Sequence, residues 1–462
     1  MIAIFIPLYI VITLAIGFWA SKRVKTTTDF TLAGKSLSTS FVGVTIFATW
    51  FGSSFVMGNP SYFVTNGISS FVALIISGFI CLLLVGYFYA KKLYQMNIVT
   101  LGDFFGIRYN KKLDSAVSVI LIFAYPHWIA AQFVALAYLF QSVLGIQVHY
   151  GILLGASIVV LYTYIGGMWA VSYTDMLQSI LIVIGLMFLL IDILDQTGGI
   201  APLFADKPSS FFSPFPQDGL DNWSEYIATI LAVMLGAIPA QEVYQRVFSA
   251  KSVKAAVRGA YLAAFLLLFI AAVPLLIALG TAHLHPELMV LEDGQAIIPT
   301  MVSQYADIPL QILFYGALIS AILSTSSGAM LAPATIIGEN LIKPNLSDLT
   351  DKKLLLFTRL SVILVAVVSC YFAFSDMDIV ALVVASLAPL LVCVFAPFTF
   401  GLFWRKSSVF GAWWAIITGG SVWFLCYLFE TRIDATIYGL MVSCLAMVVG
   451  SLLRPDIYKR TF

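Results

Sequence analysis

Runs of about 18 or more mostly apolar residues, separated by short polar punctuation, fill most of this chain. They lie near 2–20, 42–63, 68–90, 115–144, 148–165, 173–194, 224–246, 255–279, 308–339, 354–374, 378–403, 409–429 and 433–453. A helix of that length crosses hydrocarbon ~30 Å thick, so the pattern predicts an all-α polytopic membrane protein of about 13 helices. The fifth and sixth runs are the closest pair, divided only by the uncharged stretch IGGMWAVSYTD. The first run is followed by the basic SKRVK. A secretory leader carries its charges before the apolar run, so this one is expected to remain as a helix.

Composition sharpens the class. The chain is 61% hydrophobic and 10% charged, where soluble domains average about 25% charged residues. A soluble fold of this size could not cover so much apolar surface. The net charge of +1 gives no electrostatic basis for nucleic-acid binding. Five cysteines sit in apolar runs without metal-ligand spacing, and the four histidines form no metal or catalytic motif. No polar segment is long enough for an appended enzymatic module, so residues 1–462 read as one transmembrane domain and not as an enzyme. Only Lys207 and Arg432 of the 24 basic residues fall outside one alternating set of loops. By the positive-inside rule that set is cytoplasmic, which puts the N-terminus outside and the C-terminus inside a plasma membrane.

Two runs contain helix breakers in matching places. The second reads FATWFGSSFVMGNP over residues 47–60, and the seventh reads MLGAIPAQE over 234–242. Each opens a block of five spans, 2–6 and 7–11, and the two blocks enter the membrane from opposite sides. Paired discontinuous helices in inverted halves point to a transporter's binding site. Unwound backbone frees carbonyls for a hard cation and exposes half-helix N-termini.

Polar residues inside apolar spans are the remaining candidates. Ser324, Thr325, Ser326 and Ser327 are consecutive in the ninth span. Four residues at about 100° each cannot share one face, but Ala321, Ser324 and Thr325 do. Asp175, at the start of the sixth span, reads either as a functional carboxylate or as an acid complementing a helix N-terminus. Glu242 and Arg246 have i, i+4 spacing and read as an ion pair near the cytoplasmic end of span 7, with a gating role.

Taken in order and spacing, FATWFGSSFVMG, GGMWAVSYTDMLQ, GAIPAQEVYQRVFSA and LISAILSTSSGAM resemble the sodium:solute symporter family along nearly the whole chain. The resemblance implies a LeuT-type 5+5 inverted repeat in residues 39–195 and 222–404. One extra helix would precede it (1–38) and two would follow (405–462). It implies Na⁺-driven import of a small organic solute by alternating access. The alternative is a membrane sensor on the same fold. By motif, the principal Na⁺ would be held by Ala48, Phe51, Ala321, Ser324 and Thr325. A second Na⁺, present in some members, would use Asp175, Ser324 and Ser327, but Gly328 stands where a further hydroxyl is expected. Trp50 and Trp128 match aromatic positions of the choline-transporter branch, while Ala240 stands where that branch has a third Trp. With Phe51, Gln241 and Tyr244 they form the expected solute pocket. It would take choline, another quaternary ammonium or an amino acid.

Overall fold

The computed structural model describes residues 2–456 apart from 218, 291–293, 347–348 and 376. Among them, eleven helices are each long and apolar enough to cross a membrane. The bent pair Thr39–Trp50 and Ser54–Asn66 makes a twelfth span, and Val148–Leu161 is a shorter apolar helix. In chain order the spans are α1 (Ile2–Ser21), α2 (Thr39–Trp50 with Ser54–Asn66), α3 (Ile68–Gln95), α4 (Lys111–Leu144), α5 (148–166) and α6 (168–197). They continue with α7 (Leu220–Ser249), α8 (Val253–Leu284), α9 (Ile308–Ile342), α10 (Asp351–Ala373), α11 (Ile379–Phe403), α12 (Val409–Leu428) and α13 (Ala435–Leu453).

Sequence sets the ends of these helices. Asn110, Ser252, Asp307, Asp378 and Ser408 accept the amide three residues on, satisfying one orphan donor each. Gly145 and Gly198 close α4 and α6 in the left-handed conformation. The α5–α6 junction is tighter than the sequence predicts. One residue, Gly167 at φ 52° and ψ −158°, turns the chain, and helix resumes at once. A Cβ there would lie 2.4 Å from the Phe30 ring, so both the backbone angle and the space require glycine.

The two broken helices meet at the centre. The first half of α2 packs on α8, α6, α9 and the last part of α7. Helix α1 lies against α5–α6 and α9, and α12 and α13 pair with each other against α11. Large apolar side chains such as Phe18, Phe123, Phe188, Phe269, Val367 and Leu445 are exposed on the perimeter, as expected of a lipid-facing belt. Two faces remain: a loop face carrying the segments 198–217 and 294–307, and, by the order of the spans, a basic face on which most Lys and Arg of the described residues fall.

Candidate functional site: two helix breaks around a cavity

Helix α2 bends by 60° between Thr39–Trp50 and Ser54–Asn66. The break is local. The Gly52 amide donates to the Trp50 carbonyl at 2.9 Å and the Phe55 amide to the Gly52 carbonyl at 3.1 Å. In a regular helix those amides would meet the carbonyls of Ala48 and Phe51, so these two acceptors leave the ladder. Gly52 is required here by close approach. A Cβ would sit 2.6 Å from Thr325 Oγ1 and 2.8 Å from Gln132 Oε1.

The four hydroxyls of α9 diverge as their spacing requires. Thr325 Oγ1 donates to the Ala48 carbonyl at 3.3 Å, and Ser324 Oγ donates to Asp175 Oδ1 at 2.6 Å. Ser326 and Ser327 bond back to carbonyls of their own helix, Ile322 and Ser324. Ala48, Phe51, Ala321, Ser324 and Thr325 are all wholly buried, and Thr325 ties the freed carbonyl of Ala48 to α9. Nearby hydroxyls of Thr49 and Ser53 are buried without a hydrogen-bond partner. Oxygen donors, freed carbonyls and unpartnered hydroxyls suit a hard monovalent cation such as Na⁺.

Asp175 and Ser324, two of the residues expected at a second Na⁺, are hydrogen-bonded to each other. The Ser327 hydroxyl is committed within α9 at 3.0 Å. Asp175 is not at a helix start, since α6 resumes at residue 168; it is wholly buried and 3.8 Å from Arg246 Nη2. The guanidinium also occupies the space beside Gly328, where a Cβ would lie 2.6 Å from Nη2. Arg246 therefore brings a protein cation beside both Asp175 and Gly328.

The expected Glu242–Arg246 pair does not form through side chains. Arg246 donates from Nη1 to the Glu242 backbone carbonyl at 3.1 Å and from Nε to that of Thr45 at 3.3 Å. The Glu242 carboxylate instead turns into a cavity of about 90 Å³, where Trp50 Nε1 donates to Oε1 at 3.0 Å and the Tyr125 hydroxyl donates to Oε2. Trp50, Trp128, Ser54, Asn59, Ala240 and Ser386 also line it. That volume holds several water-sized groups, the scale of a small organic solute. The cavity shares Leu74, Val380 and Val384 with a larger vestibule of about 1210 Å³ on the loop face.

Phe51, Gln241 and Tyr244, expected in the pocket, do not line it. Phe51 stacks between Phe47 and Phe55, and Tyr244 packs on Phe248 and Phe398. Gln241 faces the basic side, accepting from Leu101 N at 2.8 Å and donating to the Val99 carbonyl at 3.3 Å. The same side is stitched by Asn340, which donates to Asp103 and Asp114 and accepts from Thr100. Arg108 adds bonds to the carbonyls of Gly401 and Ser407, both at 2.9 Å. Gln132 and Tyr125 were missed from sequence. Both are polar interruptions of the apolar α4, and both reach a helix break: Gln132 accepts from Ser53 N at 2.9 Å, and Tyr125 accepts from Glu242 N at 3.2 Å.

The comparisons agree with this geometry. A model of the sodium:solute symporter family matches residues 30–419. The high affinity choline transporter 1 of Homo sapiens is 24% identical over 435 residues, covering 90% of this chain and 74% of its own. The high-affinity proline transporter PutP of Bacillus subtilis is 26% identical, covering 88% of each. A solved structure described as the substrate-bound outward-open state of a Na⁺-coupled sialic acid symporter superposes with a TM-score of 0.83 at 20% identity. It covers 99% of this chain and 98% of its own, and the likeness is one of LeuT-type fold. Broken helices, a hydroxyl-bearing partner helix and a family match over most of the length lead to one conclusion: the chain belongs to the sodium:solute symporter family and is a Na⁺-coupled symporter of a small solute.

Proposed function

We propose that this symporter imports its solute by alternating access. One Na⁺ would bind at Ala48, Phe51, Ala321, Ser324 and Thr325, and the solute would bind beside it against Trp50 and Trp128. The observation that carries the reading is the hydrogen bond from Thr325 to the freed carbonyl of Ala48. It joins the two helices that one ion would clamp. Na⁺ replaces a single weak bond with several ligands between α2 and α9, and so favours the state in which the cavity is formed.

With the basic face cytoplasmic, the open vestibule lies outside and the bonds of Gln241, Asn340 and Arg108 close the inner path. Release to the cytoplasm then requires the segment 97–108 to part from α7 and α9, which makes Gln241 an inner latch. Each Na⁺ moving down ~100 mV contributes about 2.3 kcal/mol. A roughly tenfold gradient adds about 1.4 kcal/mol. The total of about 3.7 kcal/mol supports on the order of 500-fold accumulation per ion.

The test is counterflow and net uptake in proteoliposomes, with and without a Na⁺ gradient. Uptake that is Na⁺-dependent in wild type, with half-activation shifted to much higher Na⁺ in Ser324→Ala and Thr325→Ala, supports the site. Unchanged Na⁺ dependence in both variants removes it.

A further inference from the structure

The geometry points to an organic cation as the solute, with Glu242 as the residue that recognises its charge; this rests on the cavity being the solute site. Glu242 is 2% exposed. Its two carboxylate oxygens are held by neutral donors, the Trp50 indole and the Tyr125 hydroxyl. Those bonds fix its orientation and supply no positive charge. Arg246 bonds the backbone carbonyl of Glu242, faces Asp175 and attracts both carboxylates, so one cation stands against two acids. Among the described residues no Lys, Arg or His lines the cavity. A buried excess of negative charge is strongly unfavourable, so a site built this way is completed by a cation that arrives with the cargo.

The cavity offers an anionic solute less, by contrast. In broken-helix transporters the natural places for a carboxylate are the half-helix N-termini. Here one amide of each is already taken by a side chain of α4. Gln132 Oε1 takes the Ser53 amide, and the Tyr125 hydroxyl takes the Glu242 amide. Glu242 itself places a negative charge in the first turn of the half-helix Gln241–Ser249.

The approach has the same sign. Among the described residues, the acids and bases lining the loop-face vestibule are Asp206, Glu225, Glu430 and Asp434 against Lys207, with His127. A cleft of one predominant sign concentrates ions of the other. The walls complete the specification. Trp50 and Trp128 offer aromatic faces to an alkylated ammonium, while Val380, Val384 and Leu387 accept its apolar body.

The discriminating pair is choline and glycine betaine, which share a trimethylammonium group and differ by a carboxylate. Binding to the purified transporter is read by thermal shift and by competition for Na⁺-driven uptake. The panel adds dimethylaminoethanol, proline and pantothenate. Choline or dimethylaminoethanol should bind in the presence of Na⁺, and betaine, proline and pantothenate should bind on the order of 100-fold more weakly. Glu242→Gln should lower affinity for the cation by a similar factor. Preference for proline, pantothenate or betaine over the cations overturns the inference, as does cation affinity that survives Glu242→Gln. The wild-type panel carries the test if that variant does not fold. A Na⁺-induced shift of the solute-free wild type separates the two readings. Its loss counts against the ion site, whereas its presence without cation binding counts against the cationic solute alone.

Discussion

The two helix breaks do different work. In α2 the break exposes backbone: Ala48 and Phe51 lose their helical partners, and glycine at position 52 lets α9 and Gln132 close in. In α7 the functional atoms belong to side chains. Within six residues, Gln241 ties down the basic face, Glu242 lines the cavity and Arg246 faces Asp175. A backbone site tolerates any side chain that leaves the carbonyl free, but not one that fills the gap. A side-chain site has the opposite sensitivity.

Breaking the α2 side of that comparison should have the largest effect. Gly52→Ala adds one carbon 2.6 Å from Thr325 Oγ1. Overpacking of this kind costs about 1–3 kcal/mol in the state it disfavours. Na⁺-driven uptake should fall on the order of 100-fold. Uptake within a factor of two of wild type would mean that α2 and α9 need not approach so closely. Next in size, Ser324→Ala and Thr325→Ala should each raise half-saturating Na⁺ about tenfold, which is ~1.4 kcal/mol. Solute affinity at saturating Na⁺ should barely move. A loss of solute affinity instead would merge the two sites that the comparison separates.

On the α7 side, Gln241→Ala removes two bonds to the inner segment. At about 1 kcal/mol for a net hydrogen bond, amide exchange over residues 97–108 should speed up roughly fivefold or more. Unaltered exchange would leave Gln241 without a role in closure. The smallest effect is expected from Ala240→Trp, which adds a third indole to the cavity. A cation–π contact of ~0.5–1 kcal/mol should tighten choline binding about threefold. Weaker binding would show that the cavity has no room there.

Much of this architecture was legible because lipid enforces it: every span must be long, apolar and hydrogen-bonded within itself. The α2 break and the outward reach of Ser324 and Thr325 could be read for the same reason, since glycines and hydroxyls stand out in such runs. The α7 side chains could not be phased. After an unwound stretch, the face a residue presents depends on where helix resumes, here Gln241. An error of one position is a turn of about 100°, enough to exchange the roles of Gln241 and Glu242. The pairing of Arg246 with Asp175 spans two helices and leaves no local signal. Gln132 and Tyr125 did leave one, as polar groups in the middle of α4, but their targets are backbone amides that only the bent chain brings near.

The cavity-facing carboxylate of Glu242 also bears on how voltage acts through the cycle. If one Na⁺ and a monovalent organic cation are carried, the loaded site counted with Glu242 would have one net positive charge and the emptied site one net negative charge. An inside-negative membrane pulls the loaded site inward and helps the emptied site back out. Each leg gains up to about 2.3 kcal/mol per 100 mV. Neither half of the cycle then runs against the field, so turnover should rise with hyperpolarisation even when Na⁺ and solute are saturating.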